Sequence, residues 1–543
     1  MKLLPTRPDI GHLKRQAKHL ISEYRLGSPD AVSRFQNYLP RAANQNLAAI
    51  IGMQLRLHDA QSCIAREYGF ASWAELSAYV EARRIGDSDP AAFSVQLCRL
   101  IYAGGLEGGD NRARPEAAVR FLEDHPELAQ TDPWIACAVG DVDRVRLKIE
   151  TDASWIHKPG GPFNLTPLIA ACHSSLLCVD THTDPIHRVV KLLLDAGADP
   201  NHRVTKTGKG IGNGSPHHWQ VSALLGAAGV NCDVALTRLL LARGANPNDG
   251  ETLYHSLDKP NCTPLLLEAG AIVSGSNALF RCLDFDHPET FKLLLAHADK
   301  AQEVKSGRLI LWAIRRRRSP EFIAALIEAG ADPMIKTRDG QSAYTQAMRY
   351  GLHEVAEILA QAGARADLEV EDLFLAACAG NDVDTALQIR YERPDLPASL
   401  DEARLRLLPE LTAAGCFGAA GLMANLGWPV STRGGDWNAS ALNHSVFLGN
   451  AKLTRQLLES GASWTEEHGY GDNVCGTLSW ASMNRPADDG DWLECAVALV
   501  DHGMPVAQPD LEDPECVLID GKRRMFSEEI TTFLLGQASA RAK

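Results

Sequence analysis

One motif, LLLDAGADPN at residues 192–201, recurs along the chain. Each copy has two or three aliphatic residues, a short spacer and then Gly-Ala. Further copies, some of them looser, occupy residues 239–248, 265–271, 325–333, 358–364, 456–462 and 498–506. Gly330 and Gly363 lie 33 residues apart, and His297, which takes the place of the glycine in the preceding copy, lies 33 residues before Gly330. Self-similarity at such a fixed period predicts a stack of small repeated units.

A second motif precedes the first and usually begins with Ser or Thr, followed by small and aliphatic residues. Examples lie at residues 166–171, 222–228, 342–344, 373–377 and 440–442. Ser or Thr caps the start of a helix, and Pro suits its first turn. The aliphatic residues of the first motif predict a second, buried helix, and its glycine ends that helix in the left-handed conformation. The two motifs together therefore predict two short antiparallel helices per repeat.

These residues resemble the ankyrin repeat, because both motifs recur in the same order. The resemblance covers about residues 131–507 and implies an all-α ankyrin-repeat solenoid of about eleven helix-turn-helix units. Two units depart from the pattern, since residues 250–273 are short and residues 371–398 end in Arg-Pro-Asp-Leu instead of Gly-Ala. The interval from Gly197 to Gly244 exceeds the 33-residue period by 14 residues, which predicts an inserted loop at residues 202–220.

The segments before and after the repeat array lack the two repeat motifs. Residues 1–88 have apolar residues at helical spacing and resemble the N-terminal helical module found on many bacterial ankyrin proteins, which implies no activity. Residues 89–130 are interpreted as a helical bridge. Residues 508–543 are interpreted as a C-terminal helix that caps the last repeat.

Composition limits the classes of function. The chain has 54 Lys and Arg against 68 Asp and Glu, a formal net charge of −14, which argues against a chain-wide nucleic-acid surface. No apolar stretch is long enough to span a bilayer, so no membrane partner is expected. The thirteen cysteines include no C-x-x-C pair, which favours free thiols in a reducing, cytoplasmic compartment.

No metal or cofactor is expected from the sequence. His173, Cys178, His182 and His187 are potential metal ligands in one segment, but their spacing matches no closed zinc site. A loop followed by the start of a helix is the interpretation of that segment.

In an ankyrin unit the first helix lines the concave groove, so the residues just before and just after its alanine pair are expected to face a partner. In the central repeats these positions are polar, charged and aromatic, instead of the Lys and Glu typical of a solvated surface. The full set is Ala170, His173, Gly226, Gly229, His255, Asp258, Arg281, Asp284, Trp312, Arg315, Gln346, Arg349, Leu375, Cys378, Ala413, Cys416, His444, Phe447, Trp480 and Met483.

The centre of this set predicts an anion-binding patch. Arg281, Arg315 and Arg349 lie 34 residues apart, so stacked helices would place them about 10 Å from one another. Asp258 and Asp284 are expected to compensate two of the three positive charges, and Trp312 is expected to line the patch. Arg316, Arg317 and Arg318 are interpreted as a solvated helix end.

A pocket is expected beside this patch. Gly226 and Gly229 are expected to leave space next to His255. The insert that carries His218 and Trp219 arises close by in the sequence and could cover that space.

Two functions follow. The resemblance implies a binding scaffold whose groove recognises a protein partner through an acidic or anionic group. The alternative is an enzyme or receptor for a small anionic molecule in repeats three to six. In that alternative His255 and Asp258 would serve acid–base chemistry, and the three arginines would hold the anion. No catalytic sequence motif is present, so no catalytic residue is assigned and the non-enzymatic scaffold is favoured. An open groove would favour a protein partner, and a closed cavity would favour a small ligand.

Overall fold

A computed structural model describes residues 2–89, 92–106, 112–209, 216–510 and 516–541. The chain divides into two compact units, Met1–Ala278 and Leu279–Lys543, called here the N-terminal and C-terminal units. Each is described by itself.

The N-terminal unit begins with a bundle of helices. Their bounds are Ile10–Arg25 (α1), Pro29–Tyr38 (α2), Leu47–Gly52 (α3), Leu57–Glu67 (α4) and Trp73–Ser88 (α5). Leu13, Ala17 and Leu20 of α1 are fully buried, and α1 packs on α4 as the helical spacing predicts. Three helices follow, Phe93–Ile101 (α6), Pro115–Asp124 (α7) and Glu127–Thr131 (α8), and α5 packs against the first two of them.

Helix pairs then repeat along the chain. In the N-terminal unit they are Pro133–Val139 (α9) with Val142–Thr151 (α10), Pro167–Cys172 (α11) with Asp180–Asp195 (α12), the helical turn Leu225–Val230 with Val234–Ala242 (α13), and Thr252–His255 (α14) with Thr263–Glu268 (α15). A fifth pair, Ala278–Cys282 (α16) with Pro288–His297 (α17), begins at the boundary.

The C-terminal unit continues the series. Its first three pairs are Arg308–Arg315 (α18) with Pro320–Glu328 (α19), Ala343–Arg349 (α20) with His353–Leu359 (α21), and Val370–Ala379 (α22) with Val383–Glu392 (α23). The short helix Glu402–Leu405 (α24) follows. The last three pairs are Leu407–Ala413 (α25) with Phe417–Asn425 (α26), Ala441–Phe447 (α27) with Ala451–Glu459 (α28), and Val474–Asn484 (α29) with Trp492–Asp501 (α30). The described residues between 133 and 501 thus contain eleven pairs, which confirms the predicted all-α repeat fold.

First helices stack on first helices, and second helices on second helices. In the C-terminal unit α20 packs between α18 and α22, α27 packs between α25 and α29, and α19 packs between α17 and α21. Phe291 and Phe322, both fully buried, lie in contact across α17 and α19, with ring centroids 5.2 Å apart. Each pair therefore buries its aliphatic motif against its neighbours, because one pair alone has too little apolar surface to form a core.

Glycine ends the second helix of the repeat as predicted. Gly330 has φ 95° and Gly363 has φ 88°, both in the left-handed region. A Cβ at Gly330 would meet no atom within 4 Å, so only the backbone conformation requires glycine there. Gly351, between α20 and α21, has φ 67°, and a Cβ there would lie 2.8 Å from the backbone nitrogen of Gly380.

These two glycines give a matched test of the fold. Gly330→Ala should lower the free energy of unfolding by about 1 kcal/mol, because alanine is strained at positive φ. Gly351→Ala should cost about 1–2 kcal/mol more, because the added methyl also meets the backbone of the next repeat. Urea unfolding of the two variants measures the difference. Equal unfolding midpoints would contradict the close approach of Gly351 to Gly380.

Two segments differ from the sequence prediction. Residues 202–220 are not a plain loop, since Arg203–Lys209 (β1) and Pro216–Ser222 (β2) form an antiparallel hairpin in which Lys206 pairs with Trp219. The first strand contains the β-branched residues Val204, Thr205 and Thr207, which favour strand structure, whereas the length of the insert indicates no particular structure. A smaller hairpin, Arg433–Gly434 (β3) with Ala439–Ser440 (β4), lies in the C-terminal unit.

The C-terminal segment is the second difference. The helix predicted over residues 508–543 is Glu528–Arg541 (α31). Before it, Gln508–Pro509 (β5), Val517–Ile519 (β6) and Lys522–Arg524 (β7) form an antiparallel sheet. The turn Asp520-Gly521, at φ 51° and 71°, joins β6 to β7, because Asp-Gly accepts the positive φ that a tight hairpin turn needs.

Candidate binding site

In the N-terminal unit the predicted groove residues pack tightly. A Cβ at Gly226 would lie 2.5 Å from the ring of His173, and one at Gly229 would lie 2.9 Å from Cβ of His255. The two glycines therefore allow close helix packing, and the space that was expected beside His255 is filled.

His173 is a structural residue. It is buried, and its Nε2 lies 2.9 Å from the carbonyl oxygen of Ser222, to which it donates. Burial lowers the pKa of His173 to about 4, so the ring is neutral at pH 7. The ring thus anchors the end of strand β2 to the preceding repeat.

The remaining candidates of this unit lie at the surface. His255 Nε2 is 3.4 Å from a carboxylate oxygen of Glu251, one turn earlier, and both side chains are nearly half exposed. His218 Nδ1 is 2.8 Å from the hydroxyl of Thr207 on the paired strand. Trp219 is half-buried on the same strand. These contacts are those of an exposed helix turn and hairpin.

In the C-terminal unit the structure brings together most of the predicted anion site. The Arg315 and Arg316 guanidiniums lie 5.3 and 4.6 Å from the centre of the Trp312 ring. Asp284 links two arginines, because its carboxylate is 3.4 Å from Arg281 and 2.8 Å from Arg316. Arg281, Asp284, Trp312 and Arg315 therefore belong to one network of charges and rings, as the 34-residue spacing suggests.

Arg349 does not join this network. Its guanidinium is buried and donates from Nε to Oδ1 of Asp372 at 2.6 Å. Asp372 lies in the first turn of α22, where it also accepts from the backbone N–H of Glu369. The spacing placed Arg349 on the correct helix face, but a carboxylate of the next repeat covers its charged end.

The run Arg315–Arg318 differs from the expected solvated helix end. Helix α18 ends at Arg315, and Arg317 adopts φ 54°, so helical geometry does not apply to the last three residues. The Arg317 guanidinium donates to the Tyr350 carbonyl, and that of Arg318 donates to the Arg316 carbonyl at 2.8 Å. Burial lowers the pKa of Arg318. We call Arg315–Arg318 the arginine cluster.

The arginine cluster lines a cavity of about 510 Å³. Among the described residues that line this cavity, four arginines face only two carboxylates, Glu410 and Asp436. The Trp437, His444 and Phe447 side chains complete its aromatic wall. Asp284 and Asp286, which are not among the lining residues, contact Arg316 and Arg318 at 2.8 and 4.0 Å and reduce this excess of positive charge. A smaller local excess remains in a chain of formal net charge −14.

The tip of the β3–β4 hairpin forms one side of the cavity. The carboxylate of Asp436 pairs with two arginines of the cluster, with one oxygen 3.0 Å from Arg315 Nη2 and the other 2.7 Å from Arg316 Nη1. Trp437 packs on the rings of His444 and Phe447, at centroid distances of 4.7 and 5.6 Å. Sequence reasoning missed this tip, although Gly434-Gly435-Asp436-Trp437-Asn438 carries the composition of a turn.

The buried ring of His444 contacts this hairpin. Its Nε2 lies 3.2 Å from the carbonyl oxygen of Gly434, and burial lowers its pKa to about 4. A second cavity, of about 400 Å³, shares Glu410 with the first and is lined by Gln346, Arg349 and Arg404. The Tyr350 hydroxyl donates to Glu410 at the shared wall.

The structure adds three observations on partners and chemistry. In the part of the chain that the structure describes, no three His, Cys, Asp or Glu side chains are grouped to hold a metal ion. No helix of the described residues is long and apolar enough to cross a membrane. The thirteen cysteines are present as free thiols, most of them buried.

Comparison with family models and with curated proteins found no match. Among the solved structures that match is the ankyrin repeat domain of Bcl-3, described as a unique member of the IkappaB protein family. It is 18% identical to this chain, the alignment covers 37% of this chain and 92% of that chain, and the TM-score is 0.18. No function is carried over from this similarity.

Proposed function

We propose that this chain is a non-enzymatic binding scaffold of ankyrin type, whose groove recognises an acidic segment of a protein partner at the arginine cluster. The observation that carries the proposal is the cavity of about 510 Å³ in which four arginines face two carboxylates. Arginine presents a planar fork of donors that matches a carboxylate, and such charge-assisted pairs gain strength where water is partly excluded.

The neighbouring contacts support an anion at this place. Arg315 and Arg316 lie over the Trp312 ring, and this cation–π contact helps to fix the position of both guanidiniums. Like charges at this density repel one another. Asp436 and Glu410 compensate part of that repulsion inside the cavity, and Asp284 and Asp286 contact Arg316 and Arg318 at 2.8 and 4.0 Å. Together with Arg281, the arginine cluster keeps an excess of one positive charge over these four carboxylates. A partner carboxylate would compensate this excess.

A receptor for a small anionic molecule is a second candidate, because a cavity of about 510 Å³ is within the size range of small-ligand sites. The catalytic form of this alternative has less support. His255 and Asp258 belong to the N-terminal unit, and they are not among the residues that line this cavity.

Arg315→Ala should weaken binding of an acidic peptide by about 1.5–3 kcal/mol, because one charge-assisted contact is lost. The measurement is a fluorescence titration of a labelled glutamate-rich peptide against wild type and variant, with the glutamine version of the peptide as the uncharged probe. Arg455→Ala is the matched control, since Arg455 is similarly exposed in the same unit and pairs with Asp501.

Three outcomes separate the candidates. Loss of affinity in Arg315→Ala but not in Arg455→Ala supports the arginine cluster as the site. Binding of succinate with the same dependence on Arg315, and no binding of the peptide, would favour the small-ligand receptor. Equal affinity of all proteins for the acidic peptide would contradict the proposal.

We further propose the finer organisation that the sequence suggests. Residues 1–88 would be the N-terminal module of bacterial ankyrin proteins, 89–130 a helical bridge, 131–507 the repeat array and 508–543 a C-terminal cap. A cytoplasmic location is supported by the thirteen free thiols, since such thiols persist in reducing compartments. Neither nucleic acid nor membrane is proposed as a partner.

A further inference from the structure

An aromatic surface adjoins the arginine cluster in the C-terminal unit. Phe447 lines the same cavity as the arginines, and its ring stacks on Trp480 with centroids 5.4 Å apart and planes at 10°. Trp437 of the β3–β4 hairpin also packs on Phe447, with ring centroids 5.6 Å apart. We call Phe447 and Trp480 the aromatic step.

The aromatic step is only partly packed into the core. Trp480 is 50% exposed although it already stacks on Phe447, and Met483, one turn later on α29, is also 50% exposed. Large apolar side chains gain about 25 cal/mol for each Å² that they remove from water, so their exposure beside a charged cavity is unfavourable in the free protein. Adjacent exposed apolar side chains beside charged residues are typical of surfaces that another molecule covers, whereas single exposed ones are common on any protein.

The chain itself places one combination of a charged and an aromatic side chain against this surface. At the tip of the β3–β4 hairpin an acidic residue is followed directly by an aromatic one. The Asp436 carboxylate binds Arg315 and Arg316, and the adjacent Trp437 indole packs on Phe447 and His444. One acidic–aromatic pair of residues thus spans both the arginine cluster and the aromatic step.

We propose that the partner's segment combines an acidic side chain with a neighbouring large apolar side chain, preferably aromatic. The carboxylate would bind the arginine cluster, and the apolar side chain would cover Trp480. This inference rests on the proposed function, and it adds a second determinant to it. A peptide suits both parts, because neighbouring residues of one segment can present a charge and a ring to two adjoining surfaces, as Asp436 and Trp437 do.

The experiment selects ligands for the full-length protein from a displayed library of random peptides. We expect enrichment of sequences with Asp or Glu and, within about three residues, Trp, Phe, Tyr or Leu, since the two surfaces adjoin. The enriched peptides are then titrated against Trp480→Ala, with Trp480→Phe as the conservative variant. Tyr391→Ala is the control, because Tyr391 is an aromatic residue of the same unit, 88% exposed on α23 and outside the aromatic step.

Trp480→Ala should weaken the best peptide about tenfold, as expected when one aromatic contact at an interface is lost. Trp480→Phe should retain most of the wild-type affinity, and Tyr391→Ala should leave it unchanged. A melting curve of each variant checks that its fold is retained.

The possible failures are distinguishable. Enrichment of acidic peptides without apolar neighbours, or unchanged affinity in Trp480→Ala, would overturn the inference and leave the proposed function standing. Enrichment of apolar peptides without acidic residues, or no enrichment at all, would overturn both.

Discussion

Replacement of Asp372 by alanine should lower the free energy of unfolding by about 3–5 kcal/mol, because it leaves a buried arginine without its partner. The side chains of Arg349 and Asp372 are 7% and 3% exposed, and Arg349 Nε donates to Asp372 at 2.6 Å. The same carboxylate accepts from the Glu369 backbone N–H at the start of α22 and lies 3.6 Å from Arg404.

Chemical denaturation of wild type and variant measures this effect. Asp372→Asn keeps a hydrogen-bond acceptor and should be milder, and the double change Arg349→Met with Asp372→Leu should recover part of the loss because no charge stays buried. Asp501→Ala is the matched control at an exposed pair, where a cost below about 1 kcal/mol is expected. A cost as small as this for Asp372→Ala would contradict a buried pair in which Arg349 depends on Asp372.

Acidification from pH 6.5 towards about pH 4 should remove about 3 kcal/mol of stability for each of His173 and His444. Burial lowers the pKa of both rings from 6.5 to about 4, so the unfolded chain binds these two protons more readily than the folded one. Their stabilising contribution is therefore complete above pH 6.5 and is lost as the pH falls through this window. Nearby charges modulate the effect: Lys206 also lowers the pKa of His173, while Asp436 raises that of His444.

The measurement compares urea unfolding at pH 7 and pH 5 for wild type, His173→Gln and His444→Gln. Glutamine keeps a donor for the carbonyl of Ser222 or Gly434 but does not titrate, so each variant should lose less stability between the two pH values. The difference between wild type and variant isolates the histidine from the many carboxyl groups, which titrate in both. The same pH dependence in all three proteins would be incompatible with neutral, buried histidines.

Much of the fold could be read from local patterns. The Ser or Thr start, the small-residue pair, the aliphatic triplet and the closing glycine each act within one helix turn, so a single sequence was enough to predict eleven helix pairs. Gly330 and Gly363 have the left-handed backbone that their place in the motif predicts. The paired strands at residues 203–209 and 216–222 were not predicted, because the length of an insert does not indicate its secondary structure.

Only part of the candidate site could be predicted from the sequence. Helical phase brought Arg281, Asp284, Trp312 and Arg315 onto one surface, because residues at equivalent positions of a repeat are neighbours in a stack. Phase could not show that Asp372 would cover Arg349, because that contact depends on where the next helix starts.

What the sequence by itself determined about this protein is the repeat: its paired helices, the face that each helix buries and the glycine that ends the second helix. These follow from short-range properties, namely backbone preference, capping and the period of apolar residues. Only the tertiary structure decided which charges are neutralised and which line a cavity. Asp436 pairs with Arg316 across 120 residues of sequence. The helix ends at Arg315, Arg317 adopts a positive φ, and all four arginines line one cavity. The interaction energy of a charged side chain depends on its burial and on partners from distant segments, and a local sequence pattern indicates neither.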